Sequence, residues 1–416
     1  MPTTTRQRKS RFLFDWNFAD GLTSTGGIVA RTGQVGTFAR GGTVNVASAL
    51  DANARYFFPG YKAPRFHRDP TSGLYGVLLE GARTNPVIQS DALNTGWTLA
   101  NCSATNAYAT HAGRPFSRIT GMGAGTEAYR TVTLTGDGVK AFSLLVATDG
   151  TAGTFFAGIY DATVATFRAR AQITVAASGV VTAAIAEGTL FGVIALADGA
   201  YRVLVASTSC TAVNTHRAYG ALQAGGALTS VQISGVDVED ASFPSSVIPT
   251  TTTTLTRSAD ALSFAFLYPP GAMTVAADFI CNQPSSFDGS FIYEIGTTAG
   301  TRLSLAKTSG AATLTGTHSS AAGTVTSAPA CVVTMGQRVR TRTVLGSTGT
   351  IMQANTVESG VETVGATSAA NALDAAWGAA VLYINSDATP ANQGAISLRS
   401  LRIAAASQTQ AYMDVG

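Results

Sequence analysis

Ile396-Ser397-Leu398-Arg399-Ser400-Leu401-Arg402-Ile403 sets apolar side chains along one side of an extended chain, with Ser397, Arg399 and Arg402 mostly facing away. Such alternation is the pattern of a β-strand with one face on a core and the other in water. Working outward, similar short runs recur. They include Met273-Thr274-Val275-Ala276-Ala277-Asp278-Phe279, Arg302-Leu303-Ser304-Leu305, Tyr201-Arg202-Val203-Leu204-Val205, Phe142-Ser143-Leu144-Leu145-Val146 and Thr131-Val132-Thr133-Leu134. Turn residues close them, as at Gly136-Asp137-Gly138 and Asp149-Gly150. Helical periodicity is almost absent, so the chain is expected to be all-β and antiparallel.

The 416 residues are too many for one ordinary core, so two or three domains are expected. Hydrophobic residues make up 45% of the chain, but charged residues only 12%, about half the usual ~25% share. The polar surface must therefore come from Thr, Ser, Asn, Gln and backbone, as in extracellular or particle-bound β-proteins. A net charge of +3 is too small to argue for nucleic acid. The basic run Arg6, Arg8, Lys9 and Arg11 precedes Phe12-Leu13-Phe14 without the apolar stretch of a signal peptide, and reads as an anchoring arm. The most hydrophobic stretch, 179–206, is broken by Glu187, Asp198 and Arg202, so no membrane insertion is expected. Cys102, Cys210, Cys281 and Cys331 have neither zinc nor redox spacing. They read either as Cys102–Cys210 and Cys281–Cys331 bridges or as buried thiols, the commoner state of sparse cysteines in large domains.

Three regions follow. Residues 1–85 are irregular and carry an aromatic cluster (Phe12, Phe14, Trp16, Phe18, Tyr56, Phe57, Phe58, Tyr61 and Phe66), read as a particle-anchoring leader. Residues 86–260 form a first jelly-roll-type β-sandwich, carbohydrate-binding-module-like. It ends in an extended joint, 243–260, where Pro249 fixes φ and the threonine tract disfavours helix. Residues 261–416 form a second sandwich.

Two segments carry a family resemblance. Ala63-Pro64-Arg65-Phe66-His67-Arg68-Asp69-Pro70-Thr71-Ser72-Gly73 runs on to Gly76-Val77-Leu78-Leu79-Glu80-Gly81-Ala82-Arg83-Thr84-Asn85. The later segment reads Ser246-Val247-Ile248-Pro249-Thr250 and then Thr256-Arg257-Ser258-Ala259-Asp260. With Gly36-Thr37-Phe38-Ala39-Arg40 upstream and Gln89-Ser90 and Trp97 downstream, they resemble tailed-phage head-spike, tail-fibre and minor tail proteins. His67 stands where an acid is common and Val247 where an aromatic is common. The module from Met273 onward resembles concanavalin-A-like lectin/glucanase sandwiches. The resemblance implies a virion structural protein on the head or tail surface. It also implies contacts to other virion proteins through residues 1–85, and a homo-oligomer, a trimer, although no heptads are visible.

Each motif residue also has a plain structural job. Arg83 and Arg257 are expected to pair with Glu80, Asp69 or Asp260 as joint ion pairs, Trp97 to anchor a core or rim, and Gly73, Gly76 and Gly81 to serve turns. Catalysis finds little support: His67, His111, His216 and His318 are scattered, and no G-x-S-x-G elbow occurs. Asp237, Glu239 and Asp240 cluster on one strand and read as a solvated face or a joint ion pair, ahead of metal binding. No enzyme, metal or cofactor is expected. Glycan contact is placed in the last module, where Trp377, Asn385, Asp387 and Asn392 share a loop region, against the plainer reading of a core tryptophan with turn-forming neighbours. The functional expectation is a spike or fibre touching host surface polysaccharide. The alternatives are a decoration protein that binds no sugar and, behind it, a depolymerase, disfavoured by the missing acid pair.

Overall fold

The computed structural model describes residues 14–17, 28–29, 35–40, 48–57, 64–69, 72–223, 226–266, 272–282, 291–296, 302–307, 313–358, 360–373, 380–385 and 395–405. The fold is all-β, with antiparallel sheets facing one another across apolar cores. The chain divides into two units. One comprises residues 41–61 and 82–258, the other 1–40, 62–81 and 259–416.

In the first sandwich one sheet runs in the order Val181–Glu187, Thr166–Val175, Gly153–Asp161, His216–Gln223, Thr126–Val132 and Thr98–Ala100. The facing sheet runs Ser103–His111, Arg114–Thr120, Ser230–Glu239, Ala141–Ala147, Ala200–Ala206 and Thr189–Ala195. Alternate residues such as Phe155, Ala157 and Ile159 meet Phe142, Leu144 and Val146 in the core between them. Trp97 is buried there and donates its indole N–H to the Gln89 carbonyl at 3.0 Å, the anchoring role expected of it.

The second sandwich is built on the stretch quoted first. Ala395–Ala405 lies centrally in its sheet, between Met273–Cys281 and Tyr75–Glu80. Phe279 pairs with Leu398 and Asp278 with Ser400, so Arg399 is the extra residue of a β-bulge. That slip lets Leu398 and Leu401 both reach the core although three positions separate them. The simple alternation expected there is thus two short alternations joined at Arg399.

The expected division at residue 85 is redrawn. Leader residues belong to both units, and leader strands complete the sheets of the second sandwich. Tyr75–Glu80 pairs with Ala395–Ala405, Arg65–Arg68 pairs with Tyr75–Glu80, and Val35–Arg40 pairs with Asp260–Ala265. Phe38 and Phe66 pack on the second core, while Tyr56 and Leu50 bury with Phe116, Leu145 and Val247 in the first unit. These aromatics find partners within their own chain, because short strands need a sheet to complete them. The close approach of Gly76 to Ala395–Ala405 explains one motif glycine: a Cβ there would lie 2.8 Å from the Leu398 carbonyl oxygen.

Candidate functional site

The two motif segments meet. Arg83–Asn85 and Leu255–Arg257 form a two-stranded ribbon in register Arg83 with Arg257 and Asn85 with Leu255. Asn85, fully buried, donates to the carbonyls of Val236 (3.2 Å) and Ile248 (2.9 Å) and accepts from the Val87 amide at 3.0 Å. The motif asparagine therefore pins the joint segment to the strand Ser230–Glu239. Two carboxylates of that strand complete the latch. Glu239 accepts from the Ser245 amide (2.8 Å) and hydroxyl (2.6 Å), and Asp237 from the Ile248 amide at 3.2 Å. Arg257 donates to the Ser245 and Ser246 hydroxyls at 2.9 and 2.8 Å, and Arg83 lies 3.6 Å from Glu239.

Glu80 and Asp260 belong to a separate cluster in the second sandwich. Arg65 reaches Glu80 at 2.6 Å and bonds Asp260, which also accepts from Arg40 Nε at 2.7 Å and from the Glu80 amide at 3.1 Å. The four residues expected at one joint are thus sorted into two clusters, and the expected pairings of Arg83 and Arg257 with Glu80, Asp69 or Asp260 give way to Glu239 and the serines. Asp69 instead caps its own turn, accepting from the Ser72 amide and hydroxyl.

Asp237 and Glu239 are each about 1% exposed, so the solvated-face reading is overturned in favour of the joint. Burial and the neighbouring Glu239 charge hold Asp237 well above the usual carboxylate range. Burial also raises Glu239, against the pull of Arg257 and Arg83. An acid whose pKa is raised on folding contributes stability that is complete below its unfolded value and is lost as pH rises through the folded value. We expect these two acids to take stability from the first sandwich as pH climbs from the ordinary carboxylate range. Asp237→Asn should flatten that decline in melting temperature measured from pH 4 to 8; parallel curves for variant and native protein would refute the assignment.

Of the residues predicted to touch glycan, Trp377, Asp387 and Asn392 lie outside the described residues. Asn385 is fully buried at φ 57°, and its amide donates to the Ile292 carbonyl at 2.9 Å. That burial and left-handed backbone suit a residue at a turn.

A face that sequence reading missed lies on the first sandwich. Ala128, Ile159, Ala169 and Ala218 point into the core, so their strand neighbours Tyr129, Tyr160 and Tyr219 point outward, and Phe167, paired with Tyr160, shares that face. Pairing of Tyr129 with Tyr219 and of Tyr160 with Phe167 and Arg217 gathers them across four strands. Ring centroids stand 5.1 Å apart for Tyr129–Tyr219, 4.9 Å for Tyr160–Phe167 and 5.8 Å for Phe167–Tyr219. The Arg217 guanidinium lies 4.4 Å from the Tyr129 ring centre, and Arg170 lies 5.1 Å from Phe167 and 5.3 Å from Phe156. Glu127 accepts from the Tyr219 hydroxyl at 3.4 Å, and Glu187 lies 3.7 Å from Arg170. Two arginines and two glutamates leave the face neutral, with Tyr219 buried and Tyr129, Tyr160 and Phe167 half-buried. Alternation in each strand was readable in the sequence, but only register shows that residues 129, 160, 167, 217 and 219 converge.

Among the described residues no three His, Cys, Asp or Glu side chains gather as a metal site. No protein-family model matches this chain, and no curated protein matches it in sequence. Among solved structures it is similar to the LG4–5 domains of the mouse laminin α1 chain, at 12% identity over 84% of this chain and 92% of that one, TM-score 0.23. It is also similar to the tandem CBM22 domains of Paenibacillus barcinonensis Xyn10C, at 8% identity over 79% and 98%, TM-score 0.24. Likenesses this faint carry no functional argument, so the site is read from its own residues.

Proposed function

We propose that this chain is a surface protein of a tailed-phage or phage-like particle that contacts a glycan through the Tyr129–Tyr160–Phe167–Tyr219 face of its first sandwich. The observation that carries the glycan reading is that face. Sugars present apolar C–H surfaces rimmed by hydroxyls, and here packed rings sit among Arg170, Arg217 and Glu127, which can hydrogen-bond them. Rings and guanidiniums already stacked on one another lose little freedom when a ligand arrives. Their balanced charge favours a neutral polysaccharide over an acidic one. This moves the expected glycan contact from the last module to the first sandwich.

The particle role rests on the motif residues of 63–85 and 246–260, with the basic residues Arg6 to Arg11 as the attachment arm toward other virion proteins. Mass spectrometry of purified particles tests that role separately. For the face, the full chain is screened on a glycan array and the best neutral oligosaccharide is titrated by calorimetry. Tyr129→Ala with Tyr160→Ala should weaken binding about 10- to 100-fold, equivalent to ~1.4–2.8 kcal/mol. Unchanged affinity, or a blank array, would leave the face as structural packing in a decoration protein.

A further inference from the structure

Part of the most hydrophobic stretch of the sequence, 179–206, lies outside the core, although Val181, Val203 and Val205 within it are buried there. From Thr182 to Ala197 all sixteen positions are partly or fully exposed, and only Glu187 among them is charged. The stretch forms Val181–Glu187, the end strand of one sheet of the first sandwich, and Thr189–Ala195, the end strand of the facing sheet. The chain steps between sheets at Gly188, whose φ is +91° and where a Cβ would stand 2.2 Å from the Ala206 carbonyl oxygen. Each strand pairs on one side, with Thr166–Val175 and with Ala200–Ala206. On the other side neither has a strand neighbour among the described residues.

Sheet edges that stay in water are normally guarded by lysine, proline or inward-pointing charge, because an open row of backbone donors and acceptors invites another strand. Thr189–Ala195 reads Thr-Leu-Phe-Gly-Val-Ile-Ala, with no charge and no proline. Ile185 is 40% exposed, Val180 46%, and Leu190, Phe191, Val193 and Ile194 are half-buried.

We infer that this double edge is an interface with a second copy of this chain. An edge of unpaired backbone groups is matched in shape by a strand, and an uncharged surface by another uncharged one. The same edge on a second copy is both. Glu187 already lies 3.7 Å from Arg170, so it offers little to a charged partner. Ala183, Leu190 and Val193 pack against the core of the first sandwich, and Leu196 and Ala197 against the cluster around Tyr56. The remaining positions with Val180 supply more than half of the ~20 residues that each side of a standard interface contributes. Self-association through one patch is also the commonest route to soluble oligomers. The inference stands independently of the glycan reading.

Sedimentation of the full chain over a concentration series tests it. The native protein should self-associate, and Ala184→Lys with Ile194→Lys should weaken association at least about 100-fold while the circular dichroism spectrum is retained. Should the lysine variant fail to fold, Ala186→Cys decides: on oxidation it should give a disulfide-linked dimer beyond that of the native chain, while Val213→Cys, at a position 92% exposed outside the edge, should not. A native chain that stays monomeric, association untouched by the lysines, or equal cross-linking at residues 186 and 213 would each overturn the interface. So would flotation with neutral phosphatidylcholine vesicles that the lysines abolish, since the edge would then face lipid.

Discussion

Asp260→Ala should destabilise the second sandwich by about 3–5 kcal/mol. Asp260 is fully buried and gathers Arg40 Nε at 2.7 Å, Arg65, and the Glu80 amide at 3.1 Å. Burial works against the Arg65 charge, but Asp260 and Glu80 outweigh it and raise its pKa. Removing Asp260 leaves two guanidiniums in a dry site where, among the described residues, Glu80 is the remaining carboxylate. That loss is a large part of the ~5–15 kcal/mol that holds a domain folded. Urea melts of the full chain should show the second sandwich unfolding first in this variant. The control is Arg55→Ala, which breaks an exposed pair with Asp198 (side chains 51% and 39% exposed) and should cost under ~1 kcal/mol. Equal effects of the two substitutions would contradict the buried-cluster account.

Deleting residues 1–61 should damage both sandwiches rather than release them intact. The truncation strips Val35–Arg40 from Asp260–Ala265, taking Arg40 from the Asp260 cluster, and removes Phe14–Asn17 from beside Ala395–Ala405. In the first unit it removes Leu50 and Tyr56 from their cluster with Phe116 and Val247. Loss of a buried leucine side chain alone typically costs ~2–5 kcal/mol. The truncated chain should therefore be recovered poorly and be cut by protease in both units, in contrast with a leader that merely attaches the protein. A truncation that melts and resists protease like the native chain would refute this.

Much of the fold was legible in the sequence, because strand patterning is local. The runs near 142–146, 201–205, 273–279 and 396–403 all became strands. What was hidden depended on distance along the chain. Arg65–Arg68 reads Arg-Phe-His-Arg, which carries no alternating signal, and becomes a strand because Tyr75–Glu80 lies beside it. Arg65 finds Asp260 nearly two hundred positions away, a pairing that no spacing rule announces. Arg83 and Asn85 were recognised as joint residues, yet the partner acids could not be assigned until the ribbon with Leu255–Arg257 was seen. The tyrosine face was hidden for a related reason. Its members are ordinary outward positions one strand at a time, and become a surface only when Tyr129 is set opposite Tyr219 and Tyr160 opposite Arg217.

The pairing of Tyr75–Glu80 with Ala395–Ala405 also sets an order of assembly on the ribosome. Val77 must wait for Leu398, roughly 300 residues and some tens of seconds of translation later at ~5–20 residues per second. Through that interval Val77 and Leu79 have lost one cover of their eventual core, while nearly all of the intervening first sandwich has emerged and can close. The earliest strands are therefore completed among the last, and the nascent chain carries an open apolar edge for most of its synthesis. Slowing translation beyond residue 260 would lengthen that exposure and raise the demand for chaperones.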